Sequence, residues 1–357
     1  MITRILLSYQ TKIFPVQLTG VTSLESCFVL KCSNSYSKLG LQSKRHAQQE
    51  ISTSKMPSSI DCSLCLLRQS LEAARFATPD TEIHEKVIRE VMNCVLEMGF
   101  QTPPPVIGQK IHRTIRALTN NPDPYLRVKQ AFNELMFSRI DYFQKLIAAS
   151  SDPFDTAVRL AIAGNSIDFA IRANLEAKDI DTSIDHALAL PVNGDIDELR
   201  QIIENSNKIL YLADNSGEIV CDRLLIELLL PKDIVACVRG FPVINDATFD
   251  DAKQIGLTEI VPVITNGNDG MGTVLELCSK EFMAVYNEAD LIISKGLGNY
   301  ETLICYDDSQ LPHTVAFLFK AKCSFIAQFS NTQLGDCVIR IKKRKIAQGQ
   351  EIEMIEK

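Results

Sequence analysis

The chain has 357 residues, 46% of them hydrophobic and 23% charged, with a net charge of −7. That length supports one large core or two smaller ones, and no run of about 18 uncharged apolar residues is present to span a membrane. The acidic balance excludes a nucleic-acid footprint as the organising feature.

Eleven cysteines, an odd number, are scattered through strand-like and helix-like stretches. This suits reduced thiols and a cytoplasmic location rather than a disulfide framework. The first 55 residues hold seven Lys or Arg against two Glu and show no sustained periodicity. They read as a disordered or leader extension, with organelle import and an upstream start codon as the alternatives.

From Asp61 a helical pattern begins, DCSLCLLRQSLEAARFA, with Asp61 placed to cap it. HEKVIREVMNCVLEMG continues it to a stop at Gly99, and the three prolines at 103–105 lead into a third amphipathic segment. NNPDPYLRVKQAFNELMFSRIDYFQKLIAAS then predicts a turn and one long helix. In DTAVRLAIAGNSIDFAIRANL, Gly164 and Asn165 interrupt a helical run; a kink packed on a neighbour and an Asn165 side chain aimed at the active cleft are equally compatible. Beyond a polar connector, ILYLA, DIVACVRG, EIVPVIT and ADLIISKG alternate with helical patterns, and two further strand-like stretches follow. The expectation is an α/β fold: a mostly parallel sheet covered by helices on both faces, three layers α/β/α, plus an N-terminal helical cap. The divisions are 1–55 extension, 56–205 cap, 206–346 α/β metal-binding catalytic domain and 347–357 tail.

Polar clusters follow three of these strands: Asp214-Asn215, Asn245-Asp246, and Lys295 to Glu301. A parallel sheet gathers such loops at one edge. Asp214, Asn215 and Asp246 supply oxygen ligands, which suit a hard divalent ion. Gly217 and Glu218 stand at a strand-to-helix turn whose free N–H groups favour an anion. In SKGLGNYET, two glycines let backbone approach phosphate while Lys295 supplies charge; a plain turn with a solvent-facing lysine is the alternative. Lys320, among the apolar residues of FLFKAKC, reads as an edge-strand lysine or a second phosphate contact. Cys62-x-x-Cys65 lacks further soft ligands nearby and stays open as a local disulfide, metal or redox site.

CSLCLLRQ, LAIAGNSIDFA, LADNSGEIVCDRLLIE, RGFPVINDAT and LIISKGLGNYETL together resemble the metal-dependent damage-control phosphatase family, from about Asp61 to Val338. The likeness is to the branch with an N-terminal CxxC. It implies a helical cap on a Rossmann-like domain, a divalent ion such as Mn, Co, Ni or Mg, and hydrolysis of small phosphorylated metabolites. It also implies that Asp214, Asn215 and Asp246 hold the metal, and that Asn165, Glu218, Lys295, Gly296, Gly298, Asn299 and Lys320 line the substrate pocket. The expected chemistry is attack by metal-activated water, with Asp214 or Asp246 orienting or deprotonating it and Glu218 supporting a ligand. Asp214 as a covalent nucleophile ranks below it, because DxDx[TV] is missing. The alternatives are a carboxyl methyltransferase and a non-catalytic metal or redox module using the CxxC. Homo-oligomer formation stays open.

Overall fold

A computed structural model describes residues 56–164, 177–311 and 313–344, all within one compact unit spanning 52–357. Asn165 and the expectations for 1–55 and 347–357 lie outside the described residues. In chain order the elements are α1 (Ile60–Ala77), α2 (Thr81–Met98), α3 (Pro104–Thr119), α4 (Leu126–Phe137), α5 (Ile140–Ala149), α6 (Pro153–Ala163), α7 (Ala177–Ala189), β1 (Val192–Asn193) and α8 (Ile196–Glu204). There follow β2 (Lys208–Leu212), α9 (Glu218–Leu229), β3 (Asp233–Val238), α10 (Phe249–Gln254), β4 (Val263–Thr265), α11 (Lys280–Glu288), β5 (Leu291–Lys295), α12 (Leu297–Leu303), β6 (Thr314–Lys320), α13 (Ser324–Phe329) and β7 (Cys337–Lys342). Among the described residues, no helix is long and apolar enough to cross a membrane.

The sheet has seven strands in the order β1-β7-β6-β5-β2-β3-β4, parallel throughout except for the β6–β7 pair. This is the mixed α/β architecture expected from the alternating pattern. β2 is an interior strand beside the central β5, and its side chains alternate between two cores. Ile209 and Tyr211 face the layer that includes α6 and α9, whereas Leu210 and Leu212 face the layer that includes Phe282, Tyr300 and Ile326. Burial on both faces is why the strand reads as a continuous apolar run. From β2 the chain proceeds to β3 and β4 on one side, then crosses to β5 on the other. The β2–β5 boundary is therefore a topological switch point, where open α/β sheets bind ligands beyond the strand carboxyl ends.

The helices expected as one cap to residue 205 divide between two cores. Leu66, Val87, Val91, Ile107, Ile111 and Ile115 of α1 to α3 pack on one another, whereas residues of α4 to α8 share the core on one face of the sheet. The expected boundary at 205/206 thus falls between α8 and β2, inside a shared core. The single long helix expected after residue 125 is instead two, α4 and α5, broken at Ser138 and Arg139. There Ser138 Oγ donates to the Leu135 carbonyl at 2.6 Å, and Arg139 makes a two-pronged ion pair with Asp181 of α7. The first helix begins at Ile60 with Ser59 as its cap, rather than at Asp61.

Asp269 anchors α3 to the loop after β4. It accepts from Gln109 at 2.8 Å and Arg113 at 2.6 Å, and it also pairs with Arg116. Burial alone would raise its pKa, but the hydrogen bonds from Arg113, Gln109 and Arg116 outweigh burial and hold it at about 2. A carboxylate whose folded pKa is depressed contributes stability above its unfolded pKa and loses it as pH falls through the folded one. Asp269→Asn is expected to cost about 1–3 kcal/mol at pH 7, as measured by urea unfolding. The gap to the parent protein should shrink between about pH 4 and pH 2. A gap independent of pH would show that the anchor does not act through charge.

Candidate active site

β2 ends in Leu212, and the chain turns through Ala213 to Gly217 before α9 begins at Glu218. This turn is stitched to the loop between β3 and α10. Ala247 N–H donates to the Asp214 carbonyl at 2.8 Å, and Ser216 N–H donates to the Asn245 carbonyl at 2.9 Å. Asn215 and Asp246 are bridge partners within that short antiparallel contact. Main-chain bonding therefore brings together Asp214, Asn215 and Asp246, the three oxygen ligands read from the sequence. All three line a cavity of about 380 Å³, together with residues of α1 and α4, Gly164, Gly298 and Glu301.

Negative charge is crowded here. Burial, then repulsion from Glu218 and Asp246, push the Asp214 carboxyl up to about 8, against the attraction of Arg239 and Lys322. Burial also raises Asp246, against Arg239. Asn215 Nδ2 donates to Asp214 at 2.7 Å and to Glu218 at 2.9 Å, which ties the carboxylates to one amide. The buried polar atoms without a hydrogen-bond partner include Ser216 Oγ, in this turn, and Arg239 Nη2. Among the described residues no three His, Cys, Asp or Glu side chains form a ready metal cluster; the set here is two carboxylates and an amide. Oxygen donors, excess negative charge and unpaired polar atoms fit a hard divalent cation with a phosphate beside it.

Arg239, at the end of β3, was not singled out from the sequence. It is buried, donates through Nε to Asp246 at 2.6 Å and through Nη1 to Asn299 at 3.0 Å, and lies 3.7 Å from Asp214. The signal was present: a charged residue directly after the apolar run IVACV needs a buried partner. Asn299 also donates to the Ala213 and Lys295 carbonyls. It holds the strand ends together and is not among the residues lining the cavity.

Lys295 takes a different place from the one expected. It is fully buried, and its Nζ donates to Glu218 at 2.7 Å, Asp222 at 2.7 Å and the Ala161 carbonyl at 2.6 Å. A lysine has three N–H bonds, so none remains for a phosphate. Burial opposes its charge, but Asp222 and Glu218 outweigh burial and raise its pKa. The strand explains the direction. Leu291 and Ile293 face the core shared with α6 and α9, and Lys295 continues that alternation. Its role is to hold Glu218, the first residue of α9, beneath the metal-type side chains.

The glycines also act differently from the expectation. Gly217 N–H donates to Asn133 Oδ1 at 2.6 Å, so it is committed to α4 rather than open to an anion. A Cβ there would lie 1.7 Å from the Phe132 ring, and φ is +72°. Gly296, with φ +77°, faces Asp214, and a Cβ would lie 1.9 Å from its Oδ2. Its small size lets β5 and β2 approach at the switch point. Gly298 does line the cavity. Gly164 packs on Glu218, where a Cβ would lie 3.2 Å from the Cα, which favours the packed-kink reading at that position. Lys320 lies beside Cys337 of β7 and off the cavity wall, whereas Lys322, two residues on, lines the cavity and attracts Asp214. Cys62 and Cys65 are free thiols on the same wall; Cys62 Sγ accepts from the Ser59 N–H at 3.3 Å within the α1 cap.

Lys295→Met is expected to destabilise the fold by about 3–5 kcal/mol, because it leaves Glu218 and Asp222 buried without their cation. Urea unfolding reads this directly. A variant of unchanged stability with a raised KM would instead return Lys295 to the role of phosphate contact.

The profile of the damage-control phosphatase ARMT1-like domain matches residues 58–338. An uncharacterized protein of Methanocaldococcus jannaschii, MJ0202, is 36% identical over 295 residues, which cover 78% of this chain and 93% of that protein. A damage-control phosphatase of Pyrococcus horikoshii, PH1575, is 31% identical over 291 residues, covering 80% and 98% respectively. A crystal structure of that archaeon's DUF89 family protein superposes with a TM-score of 0.72 at 30% identity, covering 79% of this chain and 98% of the other. A stitched Asp-Asn turn at the switch point of the sheet thus sits in a chain matched over most of its length, and the chain belongs to the damage-control phosphatase family.

Proposed function

We propose that this protein is a divalent-metal-dependent phosphatase that hydrolyses small phosphate monoesters. The observation that carries this reading is the convergence of Asp214, Asn215 and Asp246 on one cavity at the β2–β5 switch point. Relatives named damage-control phosphatases support the reaction class. No comparable support exists for the carboxyl-methyltransferase alternative.

Asp214, Asn215 and Asp246 would hold a hard ion such as Mn, Co, Ni or Mg. When bound, such an ion neutralises phosphate charge and lowers the pKa of nearby water. The chain's own residues do the remainder. Arg239 fixes Asp246 from behind through the 2.6 Å ion pair. Lys322 supplies the positive charge on the cavity wall for a phosphate oxygen, and Ser216 Oγ offers an uncommitted donor. Asp214 faces the cavity beside these groups and orients the attacking water through its carboxylate. Lys295 and Asn215 hold Glu218 so that the first turn of α9 does not drift from Asp214.

Release of phosphate from p-nitrophenyl phosphate should stop in EDTA and return with Mn, Co, Ni or Mg. Asp214→Ala and Asp246→Asn should each lower kcat/KM by roughly 100-fold or more with the fold retained, since transition-state charge neutralisation by an ion is worth several kcal/mol. Folded protein that releases no phosphate with any of these ions would remove the phosphatase reading. Lys322→Ala should raise KM about tenfold, equivalent to about 1.4 kcal/mol, while Lys320→Ala should leave KM unchanged. The opposite ranking in steady-state kinetics would return Lys320 to the site.

A further inference from the structure

We propose that Glu301 selects substrates whose leaving group carries a cationic amine, an inference that rests on the phosphatase reading above. Glu301 stands on α12 and lines the cavity that Asp214, Asn215 and Asp246 also line. Its carboxyl makes no hydrogen bond or ion pair with the described residues, and its electrostatic neighbours are the Cys65 and Cys323 thiols. The side chain is half-buried and lines the cavity. Burial alone pushes its pKa up to about 8, with no cation offsetting the penalty. A carboxyl held against the protein without a donor is costly until something pairs with it.

The surrounding wall indicates what that partner is. Asp61 and Glu72 line the same cavity, and among the described lining residues the only basic one is Lys322, assigned above to phosphate. Phe76, Tyr125 and Phe325 present aromatic surface alongside. Acidic groups and aromatic faces both attract an ammonium, which restores a charge-assisted hydrogen bond at Glu301 and gains cation–π contact. A second phosphate or carboxylate here would meet the acidic side chains of Asp61 and Glu72. A hydroxyl could bond to Glu301 but would leave that charge unbalanced.

The test compares O-phosphorylethanolamine with 2-hydroxyethyl phosphate, which differ only in ammonium against hydroxyl, and uses p-nitrophenyl phosphate as reference. The metal-loaded parent protein is expected to favour the amine ester by about tenfold in kcat/KM, and Glu301→Gln to abolish that preference. Glu301→Asp, which keeps the charge, should retain part of it, and thermal melting checks that both variants fold. Equal or faster turnover of the hydroxyethyl ester, or a preference unchanged in Glu301→Gln, would overturn the inference while leaving the phosphatase reading intact. If none of the three esters is hydrolysed, the phosphatase reading falls, and the binding of 2-aminoethylphosphonate against ethylphosphonate still decides the role of Glu301. Selective binding of the amine that is lost in Glu301→Gln supports the recognition; indifference removes it.

Discussion

The buried ammonium of Lys295 is the interaction on which the geometry of the site most depends. It reaches from the end of β5 to the first two turns of α9 through Glu218 and Asp222, and to the carbonyl of Ala161 near the end of α6. Tyr211 of β2 donates to the same Asp222 carboxylate at 2.7 Å. Two strands and two helices are thus tied to one charge with all its hydrogen bonds made. Such a cluster is tolerated in a core because each charge has an opposite partner, with only Asp222 Oδ2 of these groups left without a hydrogen bond; removal of one partner leaves the others uncompensated.

Above this cluster, the site is built mainly from backbone. The Ala213 to Ser216 turn bonds to the strand end at Cys237 and to the Asn245 to Ala247 loop, so main-chain bonds place Asp214, Asn215 and Asp246 together, and the Asn215 amide then bonds to Asp214. Arg239 then balances part of their charge from within the protein. What remains is a negatively charged pocket with unpaired polar atoms, an arrangement stable in isolation only with raised carboxyl pKa values. These features underlie the proposed uptake of a cation and a phosphate together.

The helices α1 to α3 have their own core and are anchored to the α/β layers partly through Asp269. They contribute part of the cavity lining, including Cys62, Cys65 and Glu72. The division of labour follows. On the proposed function, the switch point of the sheet would supply the groups for phosphate chemistry, and the first three helices, with α12, would shape the space for the remainder of the substrate.

Much of this was legible in the sequence because it depends on local pattern. Apolar runs ending in Asp214, Asn245-Asp246 and Lys295 identified the strands and the edge where their loops gather, since burial on both faces requires such runs and parallel pairing aligns their ends. Strand alternation also carried the direction of Lys295, because Leu291 and Ile293 share its face, although a charge beside a glycine-rich loop suggests phosphate first. The partner of Gly217, the choice of Lys322 over Lys320, the pairing of Arg239 with Asp246 and the exposure of Glu301 to the cavity were decided only by tertiary structure. Each depends on a contact between segments far apart in the chain, and no local spacing encodes which distant side chain will arrive.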